Sequence, residues 1–513
     1  MSDAPRPSEA DRQWIDDLLD GRSADAMPGD NADNDVLGRF ERDPAAIDYL
    51  LERAALHAGL RRALKRRSLV AWAMPKALED AAAEATPRRR AKPILAWIAL
   101  ASCLVLALAA WQTWSRPYAT VITGVGTTSL GKGATVRSEP HELAAGVLEF
   151  ETQRGAQVVI EAPAAFHFES PQRLIVTKGR VAAEVPPTAK GFTVVTPSGE
   201  AVDLGTRFAV DVPTSGSAEI HVFDGEVVAR NSATAPRSLR DGEAFSLAAA
   251  ESREIRTAAF IRKGEVPLLA KAVAAGQETR SRSATRQLRD DPALIAFVDF
   301  EEDGMPPLGS TADNSGGPTG QYRIVQGRWP GSRAADFTNV GDYLPLGVGG
   351  DAAWPQLTIA AWVRLDRLGA PYQSLYHTDD WTNRKPGQVH WMIAQAGVMR
   401  LALATLQIAP ESIERQAFPE SRTSVLGAEG RWMHLAFGYD CVAKTASFYV
   451  DGRPDGVTAL VEAPPARLGS ARVGNWNRQD RTLSGRIDEI AILGRGLSAD
   501  EVRNLYEAGV PYR

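Results

Sequence analysis

Two groups of acids come first to notice: Glu301, Glu302 and Asp303 in DFEEDGMP, and Asp488 and Glu489 in RIDEIAIL. Hydrolysis of a glycosidic bond with retention needs two carboxyls about 5 Å apart on one side of the substrate. Adjacent strand residues point to opposite faces, so Asp488 and Glu489 do not meet that condition. Asp313 with Asn314, and Asp379 with Asp380, place pairs of oxygen donors in loops where calcium could be held. Two donors fall short of the six to eight oxygens calcium takes, and calcium is the one cofactor the sequence suggests. Flat aromatic rings in polar loops suit a sugar face, which singles out Trp381 in HTDDWTNRKPG and Trp476 in GNWNRQD as ligand contacts. Trp362 and Trp432 fall in strand patterns and are assigned to the core. Two cysteines, Cys103 and Cys441, supply neither a disulfide framework nor a four-ligand zinc site.

These residues need several cores to position them. A chain of 513 residues is long enough for two or three domains, and 44% hydrophobic with 24% charged residues is ordinary globular usage. The 58 basic and 63 acidic residues nearly balance, at a net charge of −5, which argues against a nucleic-acid partner. Residues 93–115 read PILAWIALASCLVLALAAWQTWS without a charge, long enough for one transmembrane helix. Arg88, Arg89, Arg90 and Lys92 precede this stretch, while only Arg116 and Lys132 follow closely, so the N-terminus is expected in the cytoplasm and everything after it outside.

Residues 1–92 read as a short α-helical cytoplasmic segment. Ser8 to Asp11 suits a capping box ahead of a stripe formed by Trp14, Ile15, Leu18 and Leu19, and Asp43-Pro44 opens another helix bearing Ile47, Leu50 and Leu51. So small a piece buries little on its own, which points to Trp14, Leu18, Leu50 and Leu51 as a docking surface. The basic run Arg61, Arg62, Lys65, Arg66 and Arg67 supports the other reading, a patch attracted to anionic lipid.

Beyond residue 116 the pattern becomes one of short strands. LEFETQRGAQVVIEAPAAFHFES, GFTVVTPSGEAVDLGTRFAVDV, AEIHVFDGEVVAR and LRDGEAF alternate apolar and polar residues between turn formers. Gly199 and Gly205 fall where strands turn, and Asp224-Gly225 fits a two-residue hairpin turn. Residues 116–255 resemble the FecR domain, the extracytoplasmic module of transmembrane regulators of sigma factors, and an all-β fold is what the resemblance implies. In that light WIDDLLDGRS and DPAAIDYLLERAALHAGL resemble the segment with which family members contact a sigma factor. His57 has no cysteine nearby, so this contact would be metal-free. Residues 256–292, rich in Ala, Arg and Ser, read as a helical or flexible linker.

Residues 293–513 form a second β region, in which DFEE, ADFTNVGDYLPL, TIAAWV, RWMHLAFGYD, YVDGRPDG and RIDEIAILGRGLSADEVRNLYEAG follow in order. Asp451-Gly452 suits a type I′ hairpin, and Ser498 with Glu501 a capping box on a closing helix. The order resembles the LamG-like, concanavalin A-like jelly roll, which implies an all-β sandwich. Glucanases of that fold carry their acids as Glu-x-Asp-x-x-Glu; here Glu301 and Asp303 are followed by Pro306, so the resemblance implies binding and no enzymatic activity. The reading is a multidomain inner-membrane protein: helical cytoplasmic segment, one transmembrane helix, FecR domain and LamG-like jelly roll outside in the periplasm. Its expected partners are an extracytoplasmic-function sigma factor inside and a glycan or surface protein outside. A membrane-anchored carbohydrate-binding or adhesion protein without sigma-factor control is the other reading.

Overall fold

The computed structural model describes residues 117–512, apart from 128–129, 215, 302–320, 369, 380, 383–384, 406–417 and 479. The expected cytoplasmic segment 1–92, with Trp14, Leu18, Leu50 and Leu51, and the apolar stretch 93–115 lie outside the described residues. No helix among the described residues is long and apolar enough to cross a membrane.

The first β region is built on one long hairpin, Gln157–Ser170 with Arg173–Glu184. Val147–Thr152 pairs with its first arm and Arg207–Val212 with its second, while Thr193–Thr196 runs parallel to the far end. Alternation sends Phe150, Ile160, Phe166, Phe168, Phe208 and Val210 to one core. There Phe150 meets Phe166 and Phe168 edge-on, each at 5.7 Å between centroids. The expected hairpin at Asp224-Gly225 is not formed. Glu219–Asp224 pairs with Arg207–Val212 and Ala244–Ser246, whereas Glu226–Arg230 pairs with Gly199–Asp203 and Arg237–Arg240. Gly225 is instead a corner between ladders. Its φ is +92°, and a Cβ there would lie 2.5 Å from Thr206 Cγ2.

The distal region is a sandwich of an eight-stranded and a five-stranded antiparallel sheet. Phe337, Ile359, Val363, Trp391, Leu401, Phe437 and Ile492 fill the space between them. Asp451 and Gly452, at φ +50° and +71°, join Thr445–Val450 to Arg453–Ala459, the two positive values a type I′ turn requires. Residues 256–292 contain two packed helices, α1 (Glu265–Ala274) and α2 (Gln277–Arg289). The closing helix α3 (Ala499–Gly509) has the full reciprocal capping box of Ser498 and Glu501. Apolar residues of α2 and α3 cover the other face of the eight-stranded sheet at Phe297, Ala360, Tyr449 and Ala491. Trp362 and Trp432 are buried beside them, in the core role their strand positions indicate.

The two β regions meet through two rows of charge. On the first, Glu161, Arg180 and Asp211 are cross-strand neighbours on three adjacent strands. On the second, Arg323, Asp336, Arg486 and Arg364 are likewise in register across four. The rows face each other with opposite sign. Arg486 pairs with Glu161 and Arg180 with Asp336, while Arg323 grips Asp211 with two bonds of 2.8 Å. Arg180 also reaches Asp211 along its own row at 3.2 Å. Arg364 lies over the chain leading into α1, donating to the carbonyls of Phe260 (3.2 Å) and Ala258 (3.4 Å) and pairing with Glu265 at 3.3 Å. Burial works against charge on Asp211, but Arg323 and Arg180 outweigh it and hold its carboxyl well below the ordinary range. Beside the rows an apolar patch joins Val125, Val147 and Val159 to Val266 and Leu269 of α1 and to Trp329 of the distal region.

Removing one partner of a buried ion pair strands the other, at about 3–5 kcal/mol. Arg180→Met, at the centre of its row, should therefore lower stability by about that amount, whereas Arg495→Ala, at a half-exposed pair with Asp291 and Glu501, should cost about 1 kcal/mol or less. Thermal unfolding of the full chain in detergent, followed by calorimetry, checks both values. The two β regions should melt in one transition, and separate melting would refute the shared interface.

Candidate functional site

On the five-stranded sheet, alternation turns Val389, Trp391 and Ile393 inward, and His390 and Met392 outward. Tyr372, His377, Arg400 and Arg472 lie on the same outer face, on the neighbouring strands. Two loops fold over this face. One carries Trp381, the other Trp476, and both rings close on His390 at centroid distances of 4.1 and 5.1 Å. The structure thus brings together the two tryptophans singled out in the sequence. It also places one of them differently. Trp476 is only 5% exposed, and two guanidinium groups lie over its ring, Arg481 at 4.3 Å and Arg478 at 4.5 Å. Trp381 is half-buried.

The stacking continues past Trp476. Arg481 also lies 5.1 Å from the Tyr372 centroid, and Arg400 stands 5.2 Å from the same ring. The order Arg400, Tyr372, Arg481, Trp476, Arg478 is therefore a ladder in which cations and rings alternate, each contact worth about 0.5–2 kcal/mol depending on desolvation. Arg400 is anchored by Glu420 and by the Tyr372 hydroxyl at 2.6 Å. Arg481 is weakly countered: Asp480 is 4.0 Å away, and burial, with Arg478 and Arg400 nearby, pulls its pKa down. Arg478 is exposed and has no carboxylate within ion-pair distance among the described residues.

Local backbone fixes the second loop. Asn475, fully buried, accepts from the amides of Trp476 (2.8 Å) and Arg481 (3.3 Å) through Oδ1, and its Nδ2 donates to Thr482. Gly474 before it, at φ +83°, leaves room for Phe337, whose Cδ1 would lie 2.3 Å from an added Cβ. His377 then orients Arg481. Its Nε2 accepts from Arg481 Nη1 at 3.1 Å, so the ring proton sits on Nδ1 and is donated to Ser374 Oγ at 2.6 Å. Burial keeps His377 neutral, its pKa well below the usual value, and holds that of His390 at about 3. The indole N–H of Trp476 is buried with no acceptor among the described residues. The arrangement can bind an electron-rich group, offering planar donors and a ring edge.

Of the oxygen pairs proposed for calcium, only Asp379 lies among the described residues. Asp379 pairs with Arg472 at 3.2 Å and accepts from Ser470, while Asp313, Asn314 and Asp380 lie outside the described residues. Among the described residues no cluster of three or more His, Cys, Asp or Glu could hold a metal. Other hollows carry charge as well. A cleft of about 590 Å³ at the junction is lined by Arg253, Arg256, Arg323, Asp211 and Glu219, most of which neutralise one another. A cavity of about 420 Å³ under α2 brings Glu301 and Asp488 to one wall, which their distance in sequence concealed. Burial pushes Glu301 up to about 7 and Asp488 up to about 6. Asp488 is already engaged, by Arg328, whose amide donates at 2.6 Å, and by Ser332 at 3.2 Å.

Residues 155–228 match the FecR protein family, and residues 339–503 match the concanavalin A-like lectin/glucanases superfamily. The chain thus carries a FecR domain followed by a concanavalin A-like domain. Domain 4 of AbnA, a GH43 extracellular arabinanase from Geobacillus stearothermophilus solved with arabinotriose, is similar at 18% identity over 42% of this chain and 98% of that one, with a TM-score of 0.32. The CBM40 of Ruminococcus gnavus IT-sialidase, bound to alpha2,3 sialyllactose, is 17% identical over 31% and 92%, with a TM-score of 0.25. A heptameric SAP-like pentraxin from Limulus polyphemus is 14% identical over 32% and 75%, with a TM-score of 0.26. No curated protein matches the chain.

Because the folded pKa of His390, about 3, lies below the unfolded value of about 6.5, the unfolded chain binds the proton first. The stability this residue contributes is complete above about pH 6.5 and is lost as pH falls from there towards 3. Histidine ring signals followed by NMR in the detergent-solubilised chain should show His377 and His390 untitrated from pH 7 to 5. Titration of either ring in that window would contradict the neutral scaffold behind Arg481.

Proposed function

We propose that the chain is a single-pass inner-membrane regulator of the FecR type, acting on a sigma factor in the cytoplasm and sensing a glycan outside through the concanavalin A-like domain. The observation that carries the reading is the junction: the FecR domain shares one buried interface with the eight-stranded sheet, the opposite wall of the sandwich whose five-stranded sheet bears the ladder. Ligand held on the outer face then moves the FecR domain as part of the same body, without bending between the two. The uncharged stretch 93–115 and the basic residues before it support the membrane topology, and the stripes of Trp14, Leu18, Leu50 and Leu51 support the cytoplasmic contact. In this reading the protein is not an enzyme. Among the described residues the other carboxyls lining Glu301's cavity are all engaged, Asp488 by Arg328 and Ser332, Glu489 by Arg328 and Asp299 by Arg289. Exposed Arg478 and half-buried Trp381 favour a second reading too, a membrane-anchored carbohydrate-binding or adhesion protein whose N-terminal segment only anchors it.

Reporter fusions after residue 90 should score as cytoplasmic and fusions after residue 256 as exported; the reverse pattern would overturn the membrane reading. The full chain in detergent should retain a sigma factor from its own cell extract. Replacing Leu50 and Leu51 by Asp should abolish retention, because each charge would have to be buried unpaired at several kcal/mol. Retention unchanged in that variant, or none with the native chain, would leave the adhesion reading in front.

A further inference from the structure

The ladder is an unusual surface for a neutral sugar. A ring that stacks on a saccharide has to show a face to solvent, and the Trp476 ring is buried beneath the guanidinium groups of Arg478 and Arg481. What this loop presents is cationic. Like charges placed close together in a partly buried setting repel, and such an arrangement gains stability when an anion arrives. Arg400 and Arg472 on the same face have their carboxylates, Glu420 and Asp379. Arg478 has none among the described residues, and Arg481 has Asp480 only at 4.0 Å. The positions of these groups are also prepared in advance: Asn475 holds the loop backbone, neutral His377 holds the Arg481 fork, and the Trp476 indole N–H is a buried donor with no acceptor among the described residues.

We propose that Arg478 and Arg481, each stacked on Trp476, bind carboxylates of an acidic polysaccharide of the uronic-acid type, with Trp381 flanking a sugar ring. The proposal rests on the reading of this face as a glycan site and adds the charge of the ligand. A planar carboxylate matches the two-pronged guanidinium fork, and a bidentate bond of this kind is among the strongest a surface can offer. Trp381, half-buried and within 4.1 Å of the His390 ring, is the aromatic of the pair that keeps accessible surface. Recognition of nucleic acid is disfavoured by the net charge of −5 and by the small number of unpaired cations.

The test compares polygalacturonate with its fully methyl-esterified form, which keeps the sugars and loses the charge, against the full chain in detergent by affinity electrophoresis and calorimetry. Polygalacturonate should bind at least about tenfold more tightly than the ester, and affinity should fall as salt is raised. Arg478→Gln, at an exposed side chain whose loss does not threaten folding, should weaken binding about tenfold; Arg478→Lys should recover part of it, because charge returns without the fork. Arg481→Gln should weaken binding further. Equal binding of the acidic and esterified polymers, or unchanged affinity in Arg478→Gln, would overturn the anionic assignment and leave the glycan reading standing. Binding of neither polymer would overturn both, and equal binding of duplex DNA would show a nonspecific cationic patch and overturn the proposal.

Discussion

Two complementary rows of buried charge hold the FecR and concanavalin A-like domains of this protein in one arrangement. Glu161, Arg180 and Asp211 read minus, plus, minus across the FecR domain, and Arg486, Asp336 and Arg323 read plus, minus, plus across the facing strands. Desolvating so many ions is expensive, and pairs of this kind seldom add stability over an apolar interface of the same shape. Their value is in register. A shift by one strand would set like charges together in a dry interface, so the rows penalise every alignment except the observed one. Net attraction comes from the neighbouring apolar patch around Trp329 and α1.

The same economy of parts appears at the outer face of the five-stranded sheet. Arg481 is fixed by Tyr372, Trp476 and His377 at once, and each of those is fixed by the sandwich core beneath or by a buried polar residue such as Asn475. The face needs a rigid sheet, and the sheet is one wall of the distal sandwich. The other wall, its eight-stranded sheet, carries Asp336, Arg364 and Arg486 to the junction. A single packed core thus lies between the site and the FecR domain, which is why the protein is read as transmitting position and not internal bending.

Much of this was written in local pattern. Alternating strands, the Asp451-Gly452 turn and the Ser498–Glu501 capping box depend on neighbours a few residues apart, and the structure has them where periodicity puts them. Asp224-Gly225 misled because a glycine at a corner and a glycine in a hairpin look alike until pairing partners are known. The charge rows were legible only as single oddities: Glu161 within QVVIEAPAAF, Arg364 closing TIAAWVR and Arg486 before IDEIAI are charges inside apolar strands. Such residues need a partner, but Glu161 and Arg486 stand 325 positions apart, and no local rule joins them. Trp476 looked exposed because its neighbours are polar; in fact Arg478 and Arg481 from that polar loop cover it.

The central claim is that the facing rows lock the FecR and concanavalin A-like domains into one body. A double-mutant cycle between Glu161→Gln and Arg486→Met, with unfolding free energies taken on the full chain, tests it most directly. The account predicts a coupling of about 1.5 kcal/mol or more, the pair of changes together costing far less than their sum. Effects that add to within about 0.5 kcal/mol would mean that the two residues do not sense each other, and would contradict it.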